Sequence, residues 1–151
     1  MSGTIVCGVT GTPEGRAAAE LAAALAARLR LRLVLVHALP LPRHRPLDPD
    51  VLRARGEAEA MLTAIASALG APETRLVIGP RVDALAEVAA DEGADVIVVG
   101  SRRRGARGGQ LRCSLASDLE AAQPVPVLIA PPATRRRSGR RLGLAETAAC
   151  L

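Results

Sequence analysis

Five short apolar runs separated by four longer stretches of helical spacing make up most of this chain, and that alternation leaves few folds open. The runs are TIVCGV at 4–9, LRLVLVHAL at 31–39, TRLVIG at 74–79, ADVIVVG at 94–100 and VPVLIA at 125–130. Each is of strand length and rich in Val, Ile and Leu at successive positions, the pattern of a strand buried on both faces. The segments between them read as helices. Thr12 followed by Pro13 gives an N-cap and first-turn proline for a helix over 13–29, with Leu21, Leu25 and Leu29 at i, i+4 and i+8. A second helix is expected over 50–69, carrying Leu52, Met61, Leu62, Ile65 and Leu69 and stopped by Gly70. A third follows Pro80 over 82–92, with Gly93 placed for a left-handed C-terminal cap, and a short fourth spans 114–122.

Strands alternating with helices, all apolar on both sides, predict an α/β fold: a five-stranded parallel sheet with helices on both faces. Right-handed crossovers restrict the topology further. In the strand order 3-2-1-4-5 the chain reverses direction between the first and fourth strands, and ligands bind outside the carboxyl ends of the strands at such a point. The loops that face each other there are 10–15 and 100–113. One domain over 1–132 accommodates all of these elements, and the arginine-rich 133–151 lacks sustained periodicity and is expected to be a disordered tail.

Charge is unevenly placed. Of the net +5, the segment 135–151 carries +4; residues 100–114 hold five arginines and no acid, and the rest of the chain has ten arginines against fourteen acids. The stretch VVGSRRRGARGGQLRCS at 98–114 is therefore a positive spot on a mildly acidic body. The chain has no Phe, Tyr or Trp, so no ring is available to stack on a base, and the tail's arginines offer only unspecific attraction to nucleic acid. Cys7, Cys113 and Cys150 show no CxxC or Cys/His spacing, which argues for reduced thiols without a disulfide framework or zinc site. No apolar run of membrane-spanning length and no signal peptide is visible, and a cytoplasmic protein is expected.

Few residues carry chemistry. Ser114 stands at a helix start, where a hydroxyl caps the helix and the positive end of the helix favours an anion. Cys113, among arginines, reads as a small residue ahead of that helix, and Cys7 as buried and inert. His37 ends the second strand near the cleft and His44 lies in a proline-rich loop, neither with a partner set for catalysis. Asp83, Glu87 and Asp91 at i, i+4 and i+8 form a solvated helix face.

IVCGVTGTPEGRAAAELAAALA, LVLVHA, GP with DALAEVAADEGADVIVVGSR over 79–102, and PVPVLIAPP together resemble the universal stress protein family over residues 4–131. The resemblance implies a Rossmann-like sheet of order 3-2-1-4-5, similar to that of the adenine nucleotide alpha hydrolases, and a homodimer formed through the last strand. It also implies a site for ATP or AMP, with Mg²⁺ alongside. Nucleotide-binding members carry Gly-x2-Gly-x9-Gly-(Ser/Thr) after the fourth strand and an Asp at the end of the first. Here those positions fall on Gly100, Arg103, Cys113 and Ser114, and on Thr10, while Val9, Ala38 and Arg102 complete the candidate contacts.

Two glycines and the aspartate are thus replaced. A side chain where glycine permitted positive φ costs roughly 1 kcal/mol or more. Against that, arginines pair phosphate bidentately, with charge-assisted hydrogen bonds worth roughly 1.5–3 kcal/mol. Three readings stand side by side: a non-catalytic stress-response binding module whose nucleotide site is degenerate, an ATP- or AMP-binding switch built on the loop 100–114, and a nucleic-acid binder acting through the tail.

Overall fold

The computed structural model describes residues 3–41, 47–101 and 114–132. The chain runs β1 (Thr4–Gly8), α1 (Pro13–Leu29), β2 (Arg32–Leu39), α2 (Pro49–Ala68), β3 (Glu73–Ile78), α3 (Arg81–Asp91), β4 (Val96–Gly100), α4 (Ser114–Ala122), β5 (Val127–Ala130). All four strand pairings are parallel and the sheet order is β3-β2-β1-β4-β5, as the alternation of segments implied.

Side-chain alternation along the central strands divides the core into two layers. Ile5, Cys7, Val9, Leu33, Leu35 and Val98 face α1 and α2, meeting Ala18, Ala22, Leu62 and Ile65. Val6, Val34, Val36, Ile97 and Val99 face the other way, onto Leu85, Val88 and Ala89 of α3 and Leu119 of α4.

The leucine spacing on α1 does not mark its buried face. Ala18, Ala19, Ala22 and Ala26 are buried, whereas Leu21 and Leu25 are only partly covered and Leu29 is 61% exposed. Small residues prevail because α1 lies close against the sheet. A Cβ on Gly100 at the end of β4 would sit 2.7 Å from the Glu14 carbonyl oxygen, and one on Gly15 would sit 2.6 Å from the Thr10 backbone nitrogen. On α2 the same correction applies to Leu52, which is exposed, while Val51 is buried.

Termini follow local chemistry. Thr12 caps α1 by accepting from the Gly15 N–H at 3.2 Å, with Pro13 in the first turn. Asp48 and Pro49 repeat the device on α2, where Asp48 accepts from the Asp50 N–H at 3.0 Å, so the helix begins a residue before the expected Asp50. Gly93, with φ 59°, turns the chain after α3. β4 starts two residues later than its apolar run. Ala94 N–H still donates to the Ala89 carbonyl, and Asp95 accepts the Thr4 N–H at 2.7 Å through its carboxylate. β5 likewise starts after Pro126, which has no N–H for the ladder and contributes only a carbonyl to Ile97.

The expectation that each strand is covered on both faces holds for the three central strands and not for the edge, where Leu128 and Ile129 of β5 are 39% and 40% exposed. At the amino end of the sheet, Arg32 and Arg75 both pair with Glu92, Arg32 reaches Glu73 at 2.9 Å, and Arg75 reaches Asp91 at 3.7 Å. Asp83 and Glu87 are exposed as expected. No helix among the described residues is long and apolar enough to cross a membrane. Residues 133–151, His44 and the greater part of the arginine loop lie outside the described residues.

Candidate functional site

β1 and β4 lie side by side at the centre of the sheet, with β2 beyond β1 and β5 beyond β4, so the strand order reverses between them, and in such sheets the ligand cleft lies at this switch point, outside the carboxyl ends of the strands. The floor is built from backbone. Val9, buried at 2% exposure, donates its N–H to the Val36 carbonyl at 2.8 Å, and its own carbonyl accepts from His37 Nδ1, also at 2.8 Å. Because a carbonyl can only accept, this contact fixes His37 with its proton on Nδ1. Val9 thus extends the β1–β2 pairing one residue past the strand, held by a side chain where the ladder ends.

From there the chain turns over the start of α1. Thr10 and Thr12 share a hydroxyl–hydroxyl hydrogen bond of 2.7 Å, and Thr12 Oγ1 also accepts from the Gly15 N–H. Gly15 allows the Thr10 backbone to lie directly on the first helical turn, and Gly100 allows the end of β4 to press on the same turn at Glu14. The loop after β1 and the end of β4 therefore converge on one helix start. Gly11 brings the loop beside the Met61 thioether of α2, 3.2 Å from where a Cβ would stand.

Beyond Gly100, the hydroxyl of Ser101 is buried and has no hydrogen-bond partner among the described residues. Such an atom is expensive to leave unpaired, by about 1–3 kcal/mol, and the usual remedy is a water or a ligand. No group of three His, Cys, Asp or Glu side chains that could hold a metal occurs among the described residues.

Of the residues singled out in the sequence, the structure brings Val9, Thr10 and Gly100 to this cleft. Ala38, buried at 8% exposure, occupies the sheet face opposite His37 by strand alternation. Ser114 begins α4 as expected. Arg102, Arg103 and Cys113 fall outside the described residues. Sequence reasoning missed Thr12 as a partner of Thr10, Gly15 as a close-approach position and Ser101 as an orphaned hydroxyl. A glycine in a helical first turn was the available signal for Gly15; nothing in the sequence marks Ser101. Cys7 is fully buried, and burial pushes its thiol up to about 12.

A parallel 3-2-1-4-5 sheet, with glycine-mediated contact of the end of β4 and of the Thr10 backbone with the first helix, defines a doubly wound α/β protein. The particular family follows from the sequence as a whole: the model of the universal stress protein family matches residues 1–131, and the chain belongs to that family. Among solved structures, a universal stress protein in complex with cAMP is 29% identical, with 86% of this chain and 97% of that chain covered and a TM-score of 0.70. A protein of the same family from Burkholderia pseudomallei is 26% identical, with 86% and 96% covered and a TM-score of 0.65. The universal stress protein from Archaeoglobus fulgidus in complex with dAMP shares the fold at 20% identity, with 87% and 98% covered and a TM-score of 0.62. No curated protein matches the chain.

Proposed function

We propose that this protein is a non-catalytic regulatory module of the stress response that binds an adenine mononucleotide at the β1/β4 cleft. The observation that carries the reading is the contact of Gly100 with the first turn of α1: the first glycine of the family's motif stands where only a glycine lets β4 and the helix start meet. The cAMP complex of the 29%-identical relative supports the ligand class. Without Phe, Tyr or Trp, the adenine has to be held by aliphatic groups and by backbone, with Val9 and Ala38 marking the ends of β1 and β2 as the candidate positions. The segment between Gly100 and Ser114 contributes charge in place of two motif glycines, with Arg102 and Arg103 as candidate phosphate partners and Cys113 standing at the third glycine.

The absence of catalysis is part of the proposal. It is supported by the sequence, in which no Ser/His/Asp set, paired-carboxylate motif or metal spacing accompanies His37 or His44. The working unit is a cytoplasmic homodimer paired through β5, whose edge leaves Leu128 and Ile129 about two-fifths exposed. The domain ends near residue 132 and the basic 133–151 is a separate tail.

The test is to denature the purified full-length chain, assay the supernatant chromatographically for released nucleotide, and titrate cAMP and AMP calorimetrically into nucleotide-free protein. Stoichiometric release or micromolar binding is expected. No release and no heat would mean that the replacements at Arg103 and Cys113 have abolished the site and left a basic surface.

A further inference from the structure

The loop after β1 passes α2 with Gly11 against the Met61 thioether. A Cβ on Gly11 would stand 3.2 Å from that sulfur, closer than ordinary van der Waals contact, so bare backbone lies where a side chain would be crowded. Met61 shares the core-facing stripe of α2 with the buried Ala58, Leu62 and Ile65 and packs against the core layer that holds Val9. It is itself only partly buried, and Gly11 is exposed. The thioether therefore supports the loop at the rim of the core, filling the gap beneath it.

Gly11 stands between Thr10 and Thr12, whose hydroxyls share the 2.7 Å bond, and Thr12 in turn accepts the Gly15 N–H at the start of α1. The Thr10 backbone lies on Gly15, and Val9 just before it ends the pairing with β2. A push on Gly11 is thus transmitted to both threonines and to the helix cap. Among the described residues, sulfur occurs at Cys7 and Met61. Cys7 is fully buried, and burial pushes its thiol up to about 12, so the reactive thiolate does not form there near neutral pH. A thioether is oxidised without first ionising, and Met61 stands partly exposed.

We infer that Met61 is a reversible oxidation site that controls the loop after β1: a peroxide converts its thioether to the sulfoxide, and the added polar oxygen pushes residues 10–12 away from α2. The sulfur lone pair attacks one peroxide oxygen and the O–O bond breaks. The proton on the transferred oxygen passes to the departing hydroxide, which leaves as water, so the thioether is oxidised by two electrons and the peroxide reduced. An apolar, flexible side chain becomes a polar one in a place packed for sulfur alone. The inference concerns the loop whatever ligand it serves; with the nucleotide reading above, the oxidised chain binds its ligand more weakly, because Val9 and Thr10 move with Gly11.

The experiment exposes the full-length protein and a Met61→Leu variant to millimolar hydrogen peroxide and then to dithiothreitol, which reverses disulfides and sulfenic acids and leaves a sulfoxide in place. Leucine keeps the apolar volume and has no sulfur to oxidise. Peptide mapping should find one added oxygen, about 16 Da, at Met61. Backbone amide shifts at residues 10–15 should then move in the unaltered protein and not in Met61→Leu, and methionine sulfoxide reductases, one for each sulfoxide epimer, should return them. Met61→Gln, polar without peroxide, should show the moved loop from the outset. Affinity for cAMP should fall severalfold on oxidation of the unaltered protein alone. Met61 left intact under conditions that oxidise free methionine, a sulfoxide at Met61 with the amides of 10–15 unmoved, shifts that the reductases do not reverse, or the same shifts in Met61→Leu would each overturn the inference. The expected shifts with no cAMP binding before or after oxidation would overturn the nucleotide reading and uphold the oxidation site.

Discussion

His37, Arg30 and Cys7 show how much single residues settle. His37 must carry its neutral-state proton on Nδ1 to bond the Val9 carbonyl, although free imidazole favours the other nitrogen. Nitrogen chemical shifts should show the Nδ1–H form for one of the two histidines, and a His37→Asn variant, whose amide can reach the same carbonyl, should keep ligand affinity better than His37→Leu. Arg30 caps α1 at φ 54°, a conformation that costs a non-glycine residue roughly 1–2 kcal/mol. Arg30→Gly should therefore raise stability by about 0.5–1 kcal/mol once the added freedom of the unfolded chain is deducted, read as an increased urea midpoint. Cys7 offers a pH test. Its thiol is held neutral up to about 12 when folded, whereas an unfolded thiol ionises near its ordinary value of 9.0. The raised group favours the folded state below that value, and the advantage is lost as pH rises from about 9 to 12, at up to roughly 1.4 kcal/mol per pH unit. With no Lys or Tyr in the chain, few other side chains titrate in this window. Cys7→Ala should flatten the alkaline decline seen in denaturant midpoints.

At the scale of elements, the order of strands and helices was legible because apolar runs and helical spacing are properties of neighbouring residues. What sequence spacing could not reveal was which face of α1 packs. Leu21, Leu25 and Leu29 form a regular series, yet the close approach of α1 to Gly100 admits only the alanines, and that distance depends on residues eighty positions away. The site divided in the same manner. Thr10 and Gly100 were identifiable by position in a motif, while the contact of Gly100 with the Glu14 carbonyl exists only once β4 has met the start of α1, and the Thr10–Thr12 bond only once the turn between them has formed. The amino end of the sheet is tied by Glu92, 11% exposed in its side chain and shared by Arg32 and Arg75. Removing its charge takes from Arg32 and Arg75 the partner they share and leaves each with one exposed pairing, to Glu73 and Asp91. Glu92→Gln should cost about 1–2 kcal/mol in chemical denaturation, with little change in ligand affinity because the cleft lies at the opposite end of the strands.

The whole molecule separates these duties. One end of the sheet is fastened by ion pairs, the other holds the cleft, and the exposed apolar edge of β5 stands to the side of both. If dimerisation uses that edge, Leu128→Arg should give a monomer by light scattering with the helical signal preserved, and an unchanged dimer would place the interface elsewhere. The central claim is that the β1/β4 cleft is the ligand site, and the most direct measurement is to follow backbone amide shifts of the full-length protein as cAMP is added. The account predicts saturable shifts clustered at residues 9–15, 37–38, 100–101 and the start of α4, with the ion-paired end of the sheet unmoved. Shifts confined to other surfaces, or none at millimolar cAMP, would contradict it.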